Sequence, residues 1–172
     1  MKDEKILESM ALKGKNWMQR REAASRLENQ KVLEHVAHHD KVWRVRIEAV
    51  KRLDNREVLG RLLYRESEGI VVHAAGMRYL ALLETVTDQK ELAEVASADL
   101  PDGIREMAIS RLESQDLLEK LAVDDKSWRV REKAARRLQG YPALAEMLLL
   151  ETDRFARQAA EKQGANLIEA DA

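Results

Sequence analysis

The chain has 172 residues, 35% of them charged and 45% apolar, with Leu, Ala and Val supplying most of the apolar share. That composition suits one helical domain with a sizeable core and argues against wholesale disorder. With no cysteine in the sequence, disulfides, thiolate metal sites and cysteine nucleophiles are excluded together.

The first fifteen residues, MKDEKILESMALKGK, are broken by charge every few positions, which predicts neither a signal peptide nor an anchor. No apolar run approaches the roughly 20 residues needed to span a bilayer. A cytoplasmic protein without membrane contact is the expectation. From there the pattern reads as helix pairs, over approximately 3–27, 29–53, 55–83, 88–112, 114–138 and 140–164, with a short tail at 165–172. Leu7, Leu33, Leu59, Leu92, Leu118 and Leu144 mark the first helix of each pair, at spacings of 26, 26, 33, 26 and 26. The pattern A-x-x-x-L marks the second, at Ala23/Leu27, Ala49/Leu53, Ala108/Leu112 and Ala134/Leu138. Gly76/Leu80 reads as a relaxed copy and Ala159/Gln163 as a decayed terminal one, giving spacings of 26, 27, 32, 26 and 25. Both columns lengthen at one place, which puts an insertion of about six residues near 81–87.

Helix starts leave N–H groups in need of acceptors, and cap-type residues stand where each helix should begin. They are Asp3, Asn29, Asn55, Asp88, Ser114 and Gly140 for the first helices. For the second helices they are Gly14, Asp40, Ser67, Asp99, Asp125 and Thr152. Pro101 and Pro142 are placed in first helical turns, where a missing N–H costs nothing. Twelve helices of about 9–16 residues follow, each pair too small to bury its own apolar face and therefore obliged to stack.

The strings DKVWRVRIEAVKRL and DDKSWRVREKAARRL share D-x-x-W-x-V-R-x-x-A-x-x-x-L. They resemble the second helix of HEAT-like repeats, in particular the short-period kind of phycobilin-lyase-like and variant leucine-rich repeat proteins. The resemblance extends over about 3–164. It implies an all-α fold: a single domain, 1–172, forming a right-handed α-α superhelix (solenoid) of six short HEAT-like helix pairs. The second helices, at 15–27, 41–53, 69–83, 101–112, 126–138 and 153–164, would line its concave face. It further implies a ladder in which the Arg of V-R pairs with turn aspartates. That role maps onto Arg20, Arg46, Arg105 and Arg131, with Asp40, Asp99 and Asp125 as partners and breaks at His73 and Ala156. The iron–sulfur module attached to some variant leucine-rich repeat proteins needs cysteines that this chain lacks.

Charge separates by helix type. Leaving out Lys15 and the tail acids Glu169 and Asp171, the second helices hold 20 Lys and Arg against 7 Asp and Glu, whereas the first helices with their leading turns hold 9 against 22. A chain of net charge −1 thus reads as basic on one face and acidic on the other. The column one before the Leu reads Arg26, Arg52, Tyr79, Arg111, Arg137 and Lys162, with Arg136 beside it. A further outward column reads Met18, Arg44, Val71, Gly103, Arg129 and Arg154. Such a stripe attracts phosphate backbones or acidic protein segments. The competing reading is a solvated helix surface whose long stems cover apolar neighbours. At the centre of the array, IVVHAAGMRYLALL carries one Arg and no acid. The register projects Val71, Ala74, Ala75, Arg78 and Tyr79 outward from it and, with Met77, makes an apolar centre between basic ends.

Trp17, Trp43 and Trp128 share one repeat position and read as packing residues. His35 and His39, spaced i,i+4 beside Asp40, have the geometry to chelate a divalent metal. They also suit the C-terminal end of a helix, where the dipole favours His, so no metal is expected. There is no H-E-x-x-H, G-x-S-x-G or phosphate-binding Gly loop. The reading is a non-enzymatic scaffold without cofactor, whose concave face holds an acidic or amphipathic protein segment. Arg26, Arg44, Arg52, Arg111, Arg129, Arg136 and Arg137 would supply charge, and Val71, Met77 and Tyr79 the apolar centre. One alternative is nucleic-acid binding, as in a DNA glycosylase family built on HEAT-like repeats. That family's catalytic residues find no place here, and a pI of about 6.5 argues against it. Another is an accessory or chaperone subunit of a larger enzyme.

Overall fold

A computed structural model describes residues 2–139, and all regular structure among them is helical. The helices are α1 (Lys2–Lys13), α2 (Trp17–Arg26), α3 (Gln30–His39), α4 (Trp43–Arg52) and α5 (Arg56–Arg65). They continue with α6 (Gly69–Leu83), α7 (Gln89–Ser97), α8 (Asp102–Ile109), α9 (Gln115–Asp124) and α10 (Trp128–Ala135). The sixth sequence pair, 140–164, lies outside the described residues, and with it Gly140, Pro142, Thr152, Arg154, Ala156 and Lys162. The chain divides into two compact units, one ending at Thr85 and the other starting at Val86. Within the first, α1 packs on α2, α3 on α4 and α5 on α6, while α2, α4 and α6 pack side by side. Within the second, α7 packs on α8 and α9 on α10, and α8 lies against α10.

Helices of 8–10 residues are marginal on their own in water, so tertiary burial must hold them. Leu33, Leu59, Leu92 and Leu118 of the first helices are buried, as are Ala23/Leu27, Ala49/Leu53, Ala108/Leu112 and Ala134/Leu138 of the second. Alanine in that column keeps the facing helix surfaces close, and the leucine fills the space beyond it. Asn29, Asn55, Asp88 and Ser114 cap α3, α5, α7 and α9, each accepting backbone N–H groups of the first turn. The second helices start later than the cap pattern predicts. Asn16, Val42, Glu68, Pro101 and Ser127 precede α2, α4, α6, α8 and α10, and among them only Asn16 accepts a helix N–H with its side chain. Asp40 and Asp125 instead close α3 and α9, and their carboxylates receive the N–H of Val42 and Ser127 at 2.9 Å. Pro101 accordingly sits just outside α8 and not in its first turn.

The third pair corrects the register read from sequence. Helix α6 buries Val71, Ala75, Tyr79 and Leu83, so Ala75/Tyr79, and not Gly76/Leu80, continues the Ala/Leu column. The column Leu27, Leu53, Tyr79, Leu112 and Leu138 is then spaced 26, 26, 33 and 26, matching the first-helix column. Val71 falls in line with Val45 and Val130, both fully buried. A segment apolar on every side supports more than one helical register, and only the choice of neighbours decides between them. The extra residues therefore lie between Tyr79 and Val86, where they lengthen α6 to 15 residues.

The same register locates the buried ion pairs. Arg20 Nε and Nη2 meet Asp40 Oδ2 and Oδ1 at 2.6 and 3.1 Å, while Nη1 donates to the Gly14 carbonyl at 3.1 Å. Arg46 repeats this with Glu66, at 2.8 and 3.0 Å, and with the Asp40 carbonyl at 2.8 Å. Arg105 forks onto Asp125, and Arg131 Nη1 donates to the Asp125 carbonyl at 2.7 Å. Each acid follows its arginine by twenty residues. Twenty beyond Arg131 stands Glu151, outside the described residues. Glu66 is thus the acid of the third turn, one residue before the expected cap Ser67, and the arginine column breaks at Val72, not His73. Asp99 keeps the register of a ladder acid, but its carboxylate meets Lys126 at 2.6 Å on the exposed surface, which lowers its pKa.

Burial works against the Glu66 charge, yet the Glu68 N–H, the Arg46 guanidinium and the Ser67 N–H outweigh it and hold the carboxyl below its ordinary value. Arg46→Met leaves that buried acid without its ion partner, and should cost about 3 kcal/mol in urea unfolding at pH 7. A folded pKa below the unfolded one means the Glu66 contribution is complete above the unfolded value and is lost as pH falls through the folded one. The wild-type urea midpoint should therefore drop on acidification below about pH 4.3, and Glu66→Gln should flatten that limb. Parallel acid limbs for the two proteins would show that Glu66 is not linked to folding.

Candidate binding surface

With the register settled, the outward positions of the second helices can be read directly. Nine residues before the Leu column stand Met18, Arg44, Ile70, Gly103 and Arg129, and two before it stand Ser25, Lys51, Met77, Ser110 and Arg136. Immediately before it stand Arg26, Arg52, Arg78, Arg111 and Arg137. Val71 and Tyr79, read from the sequence as outward, are core residues at 0% and 6% exposure. Their surface places are taken by Ile70 and Arg78. Ile70 and Met77 are half exposed, at 51% and 55%, on a helix with no acidic residue of its own.

The arginine column has a second duty that spacing alone did not reveal. Arg52 Nε donates to the Leu27 carbonyl at 3.3 Å, Arg78 Nε to Leu53 at 2.6 Å, and Arg137 Nη2 to Leu112 at 2.9 Å. Arg111 does the same to the carbonyl of Val86. Arg52, Arg78 and Arg137 thus reach back about one repeat to a carbonyl at or just past the end of the preceding second helix, where acceptors lack intrahelical donors, while Val86 lies in the segment before α7. A guanidinium has five N–H donors, so one bond to a carbonyl leaves others for a ligand. Arg52 and Arg137 are still exposed.

Glutamines perform a matching task on the other edge. Gln30 Nε2 donates to the Arg52 carbonyl at 3.1 Å, and its Oε1 accepts from the Asp54 N–H at 3.0 Å. Gln89 does so for Arg111 and Glu113, at 3.2 and 3.0 Å, and Gln115 Oε1 accepts from Gln139 at 2.9 Å. Glu4, at the same register, accepts from Glu28 and Asn29. A Gln column at the repeat spacing was present in the sequence.

The structure gathers Arg26, Arg44, Arg52 and Met77 in the first unit, on α2, α4 and α6. It gathers Arg111, Arg129, Arg136 and Arg137 in the second, on or just past α8 and α10. Arg44 lies over Trp43 at 4.2 Å and near Trp17 at 5.9 Å, and Arg129 lies over Trp128 at 5.4 Å. All three tryptophans are half-buried. They form the platforms on which those arginines rest.

Carboxylates interleave with this charge. Glu48 meets both Arg21 and Lys51, at 3.2 and 3.3 Å, Glu22 meets Arg26 at 3.9 Å, and Glu132 meets Arg136 at 2.6 Å. Beside α10, burial raises the pKa of Glu106 against the lowering pull of Lys133 and Arg129, with Asp102 and Glu132 adding to the rise. No group of three or more His, Asp or Glu suited to a metal occurs among the described residues. Asp40 is taken by Arg20 and the Val42 N–H. Among the described residues no helix is long and apolar enough to cross a membrane. Neither a protein-family model, nor a characterised protein, nor a solved structure matches this chain.

Arg52→Ala should lower stability by about 1 kcal/mol through the lost carbonyl bond, whereas Arg44→Ala should stay within about 0.5 kcal/mol of wild type. Equal losses in urea titrations of the two variants would assign the Leu27 contact no stabilising role.

Proposed function

We propose that this chain is a non-enzymatic binding module of HEAT-like helix pairs wound in a right-handed superhelix. Its second-helix face holds an acidic, amphipathic protein segment. The observation that carries this reading is the exposed pair Ile70 and Met77 on the acid-free helix α6. Arg44 and Lys51 occupy the same register positions on α4, which packs against α6. Apolar side chains flanked by cations complement a segment with apolar residues on one side and carboxylates beside them. A phosphate backbone has no use for the apolar pair, and it would meet the carboxylates of Glu22, Glu48 and Glu132 among the arginines. Those features favour a protein segment over a nucleic acid.

Selection of random 16-residue peptides on the immobilised protein should enrich acidic sequences with apolar residues at three- and four-residue spacing. The Ile70→Asp/Met77→Asp variant should lose that enrichment while keeping its melting temperature. Enrichment that survives the double substitution, or that ignores charge, rejects this surface. Tight binding of labelled single- or double-stranded oligonucleotides, falling steeply between about 50 and 200 mM salt, would establish the nucleic-acid reading in its place.

A further inference from the structure

We propose that His35 and His39 form a two-imidazole site for a divalent transition-metal ion at the C-terminal end of α3. Residues four apart lie on one side of a helix, and here the two rings stack with centroids 4.5 Å apart and planes inclined by 23°. His39 Nδ1 lies 2.9 Å from the carbonyl oxygen of His35. A carbonyl can only accept, so Nδ1 is the protonated nitrogen, and in the neutral ring the lone pair lies on Nε2. Donation of the second ring N–H to a backbone carbonyl is the arrangement that orients imidazole ligands in metal sites. Both side chains are exposed, so their ring nitrogens are open to an ion from solvent.

The surroundings decide which ion. The two rings line a shallow hollow with Lys13, Arg20, Asp40 and Lys41, and the one carboxylate there is held by Arg20 and the Val42 N–H. With neutral nitrogen donors and no available carboxylate, Ca²⁺ and Mg²⁺, which need oxygen ligands, are disfavoured. Cu²⁺, Ni²⁺ and Zn²⁺ suit imidazole, with Cu²⁺ bound most tightly of the three. Water completes the coordination, leaving positions that a carboxylate or imidazole from outside can take.

The test is calorimetric titration of the untagged full chain with Cu²⁺, Ni²⁺ and Zn²⁺ in a non-coordinating buffer. One equivalent should bind, Cu²⁺ most tightly, with Mg²⁺ giving no heat. His39→Gln should weaken Cu²⁺ binding by about tenfold or more. His38→Gln, at a half-buried position of the same helix, should leave it unchanged. Far-UV circular dichroism checks that each variant is folded. Absence of saturable binding for all three ions, or a His35→Gln/His39→Gln variant that binds Cu²⁺ as wild type does, overturns the site. So does stronger loss from His38→Gln than from His39→Gln.

Discussion

Among the described residues, Arg20 and Arg46 each tie their helix pair to the next by doing two things at once. The guanidinium grips a carboxylate twenty residues ahead and a turn carbonyl six residues behind, as Arg20 does with Asp40 and Gly14, and Arg46 with Glu66 and Asp40. Its acid in turn accepts a backbone N–H two residues on, at Val42, Glu68 or Ser127, and so sets the bend between first and second helix. The carboxylates retain only 6–7% of their side-chain exposure. A charge so desolvated is tolerable only when its hydrogen-bonding positions are filled, and removing either partner leaves the other stranded.

Around that clasp the helices are held by apolar packing and by polar side chains spent on loose backbone ends. Arg52, Arg78 and Arg137 serve carbonyls at the ends of preceding second helices, Arg111 serves that of Val86 before α7, and Gln30, Gln89 and Gln115 serve the turns after α4, α8 and α10. These bonds recur with the repeat because the same backbone atoms are orphaned in each pair. The price is a reduced surface charge: part of the basic stripe belongs to the fold. What is left for a partner is the outer side of those arginines, the tryptophan-supported Arg44 and Arg129, and the apolar Ile70 and Met77.

The surface also shows why net charge is a poor guide to a ligand here. Glu22, Glu48 and Glu132 sit among the cations at ion-pair distance, so the stripe is a mixed field and not a uniform positive one. Exposed pairs of this kind contribute little to stability and are screened by salt. Against a ligand they would act on selectivity, since an extended polyanion would meet repulsion at every carboxylate whereas a segment with spaced acids could avoid it.

The sequence by itself determined the all-helical class, the pairing of short helices, the repeat near 26 residues and the first-helix caps Asn29, Asn55, Asp88 and Ser114. Those follow from local chemistry: apolar spacing, cap side chains and the absence of strand-like alternation. The arginines of the ladder were legible because their column recurs. Tertiary structure alone decided the third pair. In IVVHAAGMRYLALL every face is apolar, so nothing local separates a register ending on Leu80 from one ending on Tyr79. Packing against α4 and α5 chose Tyr79, which buried Val71 and exposed Ile70, and the stacked turn presents Glu66, which no repeat column had singled out, to Arg46. The double duty of Arg52 and Arg137 was hidden for the same reason. A carbonyl 25 residues away becomes a partner only once the helices between them have stacked.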